Sequence, residues 1–261
     1  MTTDTLAVPT VSETRYGLLN NEAPTRWMMA AWNDFMAAPL LSLTWGVIFA
    51  GLGIGLSLGL NLIGLDSLIP AAMAGFFLVA PVLTVGMMEL ARLRSVGEPM
   101  TFAGSLRAWK RNPAGLGGIG MVLMLAMTAW LQIALLVFSL FFHANPPALD
   151  NFLLGLLSSD QAFAFLALGC SLGGILAATV FALGALSVPM LMERNVSVVE
   201  AMTTSAGFVW ANRRVMLAWA ACIVVLVGFG FLTFFLGLVL TLPLLAYGSW
   251  HLYEDFKSLS E

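Results

Sequence analysis

Phe77-Leu-Val-Ala-Pro-Val-Leu-Thr-Val-Gly-Met-Met-Glu-Leu-Ala-Arg-Leu-Arg-Ser-Val-Gly-Glu-Pro99 runs from an apolar segment into a polar, basic turn. The basic run Leu106-Arg-Ala-Trp-Lys-Arg-Asn112 follows, and Gly115 to Phe142 is apolar again. Two apolar stretches joined by a compact basic turn read as a membrane hairpin seen from its positively charged side. Nothing in this pattern is catalytic.

Composition extends that reading to the whole chain. Of 261 residues, 60% are hydrophobic and 10% charged, where a soluble domain carries about a quarter charged residues. The chain is therefore expected to be all-α, with lipid as the solvent of its outer surface. A net charge of -3 and the absence of a basic face exclude nucleic acid as a partner. Cys170 and Cys222 lie within apolar runs and read as packing residues rather than a disulfide. Residues 1–25 are polar and lack the basic and apolar regions of a signal peptide. They read as a disordered cytoplasmic tail, leaving 26–261 as a single transmembrane domain.

Outward from the hairpin, the spans are expected near 40–62, 68–93, 115–142, 162–192, 215–234 and 238–253. Thr25 is placed to cap a short amphipathic helix with Trp27, Met28, Ala31 and Phe35 on its apolar stripe, and Asn33 and Asp34 off it. Pro39 opens the first span. Ser197-Val-Val-Glu200 is a capping box, predicting a second amphipathic helix over 198–210. The last apolar run, Val215 to Leu252, would be about 57 Å long as one helix, against a hydrocarbon core of about 30 Å. Two spans with a turn near Gly237 fit better, although no polar residue announces the turn.

A threefold repeat points to the same count. Trp32-Asn33, Trp109 to Asn112 and Trp210 to Asn212 each close a short amphipathic helix before an apolar run, with Asn suited to the left-handed position at a helix end. The second span of each pair carries a proline, at Pro81, Pro189 and Pro243. With six spans as three hairpins, all Lys and Arg residues fall on one side. The opposite loops hold only Asp66, Asp150 and Asp160. The positive-inside rule then puts both termini in the cytoplasm.

Leu78 to Arg92 followed by Gly97-Glu-Pro99 resembles the signature of a family of predicted bacterial integral membrane proteins of unknown function. Met87-Met88 depart from the Leu-Tyr pair of that pattern. Pro243 to Tyr253 resembles the family's closing motif, and the likeness extends from about Trp32 onward. Some members carry the label of putative cytochrome c oxidase subunits, so the resemblance implies an accessory or assembly role beside a respiratory complex. A haem-copper catalytic subunit needs several intramembrane histidines, and this chain has His143 and His251 alone.

No Cys/His spacing fits a metal site, no glycine-rich loop cradles a cofactor, and no nucleophile has a base beside it. An enzyme is not expected, nor a cofactor. Glu89 and Arg92, three apart on one helix face, read as a pair of anchors reaching the interface. His251, near Glu254 and Asp255, reads as an interfacial anchor among Trp250 and Tyr253. Arg107, Trp109, Lys110, Arg111, Arg213 and Arg214 are candidate contacts to lipid headgroups or to a partner's acidic surface. Gly51, Gly55, Gly59, Gly169 and Gly173 are helix-packing candidates, within the chain or against another copy. Two functions remain open. One is a non-catalytic accessory, assembly or scaffold subunit of a membrane complex. The other is a small-solute transporter or channel, which requires Thr84, Thr128, Gln132, Ser171, Thr179 and Ser187 to converge on a polar path.

Overall fold

A computed structural model describes residues 17–143 and 152–260. Most of the expected tail, with Asp4, Glu13 and Arg15, lies outside the described residues, as do Asn145-Pro-Pro147 and Asp150. The described chain is helical: α1 (Ala23–Ala37), α2 (Pro39–Leu62), α3 (Ile69–Leu83), α4 (Val85–Ser95), α5 (Phe102–Arg107), α6 (Pro113–Phe142), α7 (Phe152–Leu157), α8 (Ala162–Gly184), α9 (Ser187–Glu193), α10 (Val198–Ala211), α11 (Arg213–Leu232) and α12 (Leu238–Ser260). Among the described residues five helical stretches are long and apolar enough to cross a membrane: Pro39–Leu62, Asp66–Ser95, Pro113–Phe142, Ala162–Glu193 and Arg213–Leu232. The expected sixth, α12, is not among them, because its last turns carry His251, Glu254 and Asp255.

Local chemistry explains the boundaries. Ser197 accepts a hydrogen bond from the Glu200 amide, as the capping box requires. Asn112 caps α6 by accepting from the Gly115 amide, with Pro113 in the first turn, where a missing N–H is harmless. Thr25 does not cap α1. The helix already begins at Ala23, with Pro24 supplying a preset first turn. The repeated asparagines are not left-handed either: Asn112 has φ -139 and Asn212 φ -106. Two expected spans are each broken into two helices. Thr84 interrupts the first after Pro81, its hydroxyl donating to the Pro81 carbonyl. The second breaks at Ala185–Leu186, ahead of Pro189.

The turn near Gly237 is present, and it is held by a residue the sequence reading passed over. Thr233 receives the Gly237 amide and donates to the Phe229 carbonyl. Phe234 and Phe235 take φ of 50 and 69, a region that costs a bulky residue free energy. The Phe235 ring packs against Gly53 and Phe231, which offsets that cost.

In chain order the elements fall into three sets, each an amphipathic segment, an uninterrupted apolar helix and a proline-bearing helix. Each amphipathic helix leans on the proline-bearing helix of another set: α5 on α4, α10 on α8 and α9, and α1 on α12. The inner ends α4, α9 and α12 meet one another, and nearly every residue of Val85–Leu93 and Ser187–Met192 is buried. That meeting point is the core. Further packing joins α2 to α12, α3 to α6, α6 to α8 and α11 to α12.

Candidate functional site

Two buried ionic clusters flank the core at its basic end, and the repeat places them equivalently. Counting from the prolines, Gly86 and Gly248 each lie five residues on, and Glu89 and His251 each eight. The correspondence is physical. Trp45, six residues after Pro39, lies against Gly86, and Trp219, six after Arg213, lies against Gly248. A Cβ at either glycine would come within 2.5 Å of the indole. Glycine here is the space the ring occupies.

In the first cluster Glu89 is 1% exposed. It accepts from Arg92 Nε at 2.8 Å and NH2 at 3.0 Å, and from Arg111 NH2 at 2.7 Å. Glu89 therefore does not reach for the interface. A carboxylate this deep persists because two guanidiniums meet it. Arg111, expected to face lipid or a partner, is committed to this bond across α4 and the start of α6.

In the second cluster His251 faces a carboxylate from each ring nitrogen, Glu254 at 2.9 Å and Asp34 at 2.8 Å. Asp34 is 5% exposed, although its place off the apolar stripe of α1 predicted solvent. It also receives Arg94 at 2.9 Å, and the same guanidinium bonds the Asn33 carbonyl. Nearby, Asp255 accepts from both Arg26 and the Trp27 indole at 2.9 Å. These bonds fasten α1 to α4 and α12. Burial alone would raise the Glu254 carboxyl, but hydrogen bonds from His251 and Ser95 hold it below its ordinary value. Asp34 and Arg94, sixty residues apart, are a pairing that sequence spacing could not announce.

These side chains are structural in their chemistry: every acid is matched by a donor, and the imidazole has no free nitrogen to offer. Among the described residues no group of three His, Cys, Asp or Glu is placed to hold a metal ion.

The remaining candidates separate cleanly. Arg107, Lys110, Arg213 and Arg214 are exposed and have no carboxylate partner among the described residues. Trp109 is half-buried and Trp210 is 75% exposed. Gly173 takes the Trp130 ring, with its Cβ position 2.8 Å away. Gly51, Gly55, Gly59 and Gly169 meet no described atom within 4 Å of a Cβ, and the first three are exposed. Among the described residues nothing packs against them. Closeness on α2 comes instead from Gly46 against the Val239 backbone and Gly53 against Phe235, because that face of the helix is the one turned to α12. The hydroxyls and amide needed for a polar path do not converge. Thr128, Gln132, Ser171 and Thr179 are exposed, while Thr84 and Ser187 are buried and satisfied by carbonyls of the preceding helices, α3 and α8.

Residues 68–193, from the break-bearing second span through α9, match the model of a family described as "Predicted integral membrane protein (DUF2189)". The resemblance drawn from the sequence is to that family. The match is narrower than the resemblance suggested, since Pro243 to Tyr253 lies beyond it. The description names no activity, and no respiratory role comes with it. No curated protein and no solved structure matches the chain.

Proposed function

We propose that this is a non-catalytic accessory or scaffold subunit of an inner-membrane complex. The observation that carries the reading is the contrast between a closed interior and an open exterior. Inside, the indoles sit in glycine gaps and the buried acids are paired. Outside, the smooth Gly51, Gly55, Gly59 face of α2 meets none of the described residues, the kind of surface on which another membrane helix approaches closely. The outward scatter of Thr128, Gln132, Ser171 and Thr179 favours this reading over a transport path. In this proposal α12 makes a sixth crossing, the helices form three hairpins, and both termini lie in the cytoplasm. Twenty-three residues are long enough, and burial among α1, α2, α4 and α11 explains why α12 tolerates a less apolar sequence than helices facing lipid.

Purification of the full chain from its native membrane in a mild detergent, followed by mass spectrometry, tests the proposal. Co-purifying membrane subunits that disappear with Gly55→Leu are expected. A protein that runs alone under every mild condition overturns it.

A further inference from the structure

The unpaired arginines at the head of α11 border a pocket. Its wall is built rather than incidental. Asn212, 5% exposed, accepts from the Leu19 amide at 2.7 Å and donates to the Gly17 carbonyl at 3.3 Å. That two-way clamp holds the segment preceding α1 against the end of α10. The space between is lined by Leu18, Leu19, Asn21, Arg213, Arg214 and Val215, with Ala211 and Asn212 behind them. Among the described residues no carboxylate lines it. Elsewhere at this end, Arg92 and Arg111 are neutralised by Glu89, Arg94 by Asp34, Arg26 by Asp255, and Lys257 by Glu193. Arg213 and Arg214, like Arg107 and Lys110, have no such partner among the described residues, but only Arg213 and Arg214 line this pocket.

We propose that this pocket binds the phosphate of an anionic lipid headgroup. The charge calls for an anion, and the location calls for a lipid. Arg213 and Arg214 stand where an apolar, membrane-length helix begins. Below them, Leu217, Val224 and Val225 are exposed along α11 and offer a track for an acyl chain. Trp210, next in sequence to Ala211 of the pocket wall, is 75% exposed, as an indole is at the headgroup level. Two guanidiniums can meet phosphate oxygens in paired geometry, while Leu18, Leu19 and Val215 suit the apolar part of the lipid. The inference goes beyond the scaffold reading and needs only that α11 enters the membrane.

Native mass spectrometry of the delipidated full chain in detergent provides the test, with phosphatidylglycerol and phosphatidylcholine of identical acyl chains as probes. Wild type is expected to favour the anionic lipid by roughly tenfold or more, since each basic residue at an anionic surface contributes about a fivefold preference. Arg213→Gln with Arg214→Gln should bring the ratio close to one. Arg107→Gln with Lys110→Gln, equal in charge removed, should leave most of it. Because all four side chains are exposed, unchanged thermal unfolding of both double variants verifies that the fold is intact. Equal loss in the two double variants, or no preference in wild type, overturns the pocket as the site. Displacement of phosphatidylglycerol by an equal concentration of inorganic phosphate overturns the assignment to a lipid.

Discussion

Glu89 and Arg26 show how burial sets the worth of an ion pair. Glu89 is almost fully enclosed, whereas the Arg26 side chain paired with Asp255 is 58% exposed. Removing the carboxylate with Glu89→Ala leaves Arg92 and Arg111 facing each other without a counter-charge, and should destabilise the protein by about 3–5 kcal/mol. Arg26→Ala should cost about 1 kcal/mol or less, because water screens that pair. Denaturant titration in mixed micelles measures both. The Glu254 carboxyl supplies a pH dependence. Its folded pKa is depressed, so its contribution is present above the ordinary carboxylate range and is lost as pH falls through the folded value. Acidification through the carboxylate range should therefore lower the melting temperature. Glu254→Gln should remove part of that acid dependence, and an unchanged acid limb would count against the bond to His251.

At the level of elements, the glycines predict opposite outcomes according to the face they occupy. Gly86→Ala and Gly248→Ala place a methyl within 2.5 Å of a buried indole, and overpacking of this kind costs about 1–3 kcal/mol. Gly55→Ala meets open space and should be neutral or slightly stabilising through helix propensity, by less than about 1 kcal/mol. Melting temperatures of the three variants in one detergent make the comparison. The sequence showed these helices but not which glycine each would use. A stripe such as Gly51, Gly55 and Gly59 is visible along one helix, whereas the gap filled by Trp45 exists only once α2 and α4 are side by side. The breaks at Thr84 and Ala185 were likewise hidden, because a proline announces a kink without fixing where neighbouring carbonyls find partners.

For the whole molecule, the arrangement of basic residues and the turn at Thr233 to Gly237 together predict an even number of crossings. Single cysteines at Asp160 and Ser258, with Cys170 and Cys222 replaced, are expected to differ: an impermeant reagent should reach the first from outside and the second only after permeabilisation. Labelling of both from outside would mean that α12 stays on the outer side of the membrane and would remove the third hairpin. Legible from the sequence alone were the helical membrane class, five of the six expected apolar spans and the amphipathic helix after Ser197. Hydropathy, charge and capping are properties of short stretches, and lipid leaves the backbone few alternatives to helix. Tertiary packing decided that Glu89, Asp34 and His251 are buried and bonded, that the Gly51 stripe faces outward, and that Arg111 is occupied while Arg213 and Arg214 have no carboxylate partner among the described residues. Each of those outcomes depends on which helix face meets a neighbour distant in the chain, and spacing along one helix carries no information about that neighbour.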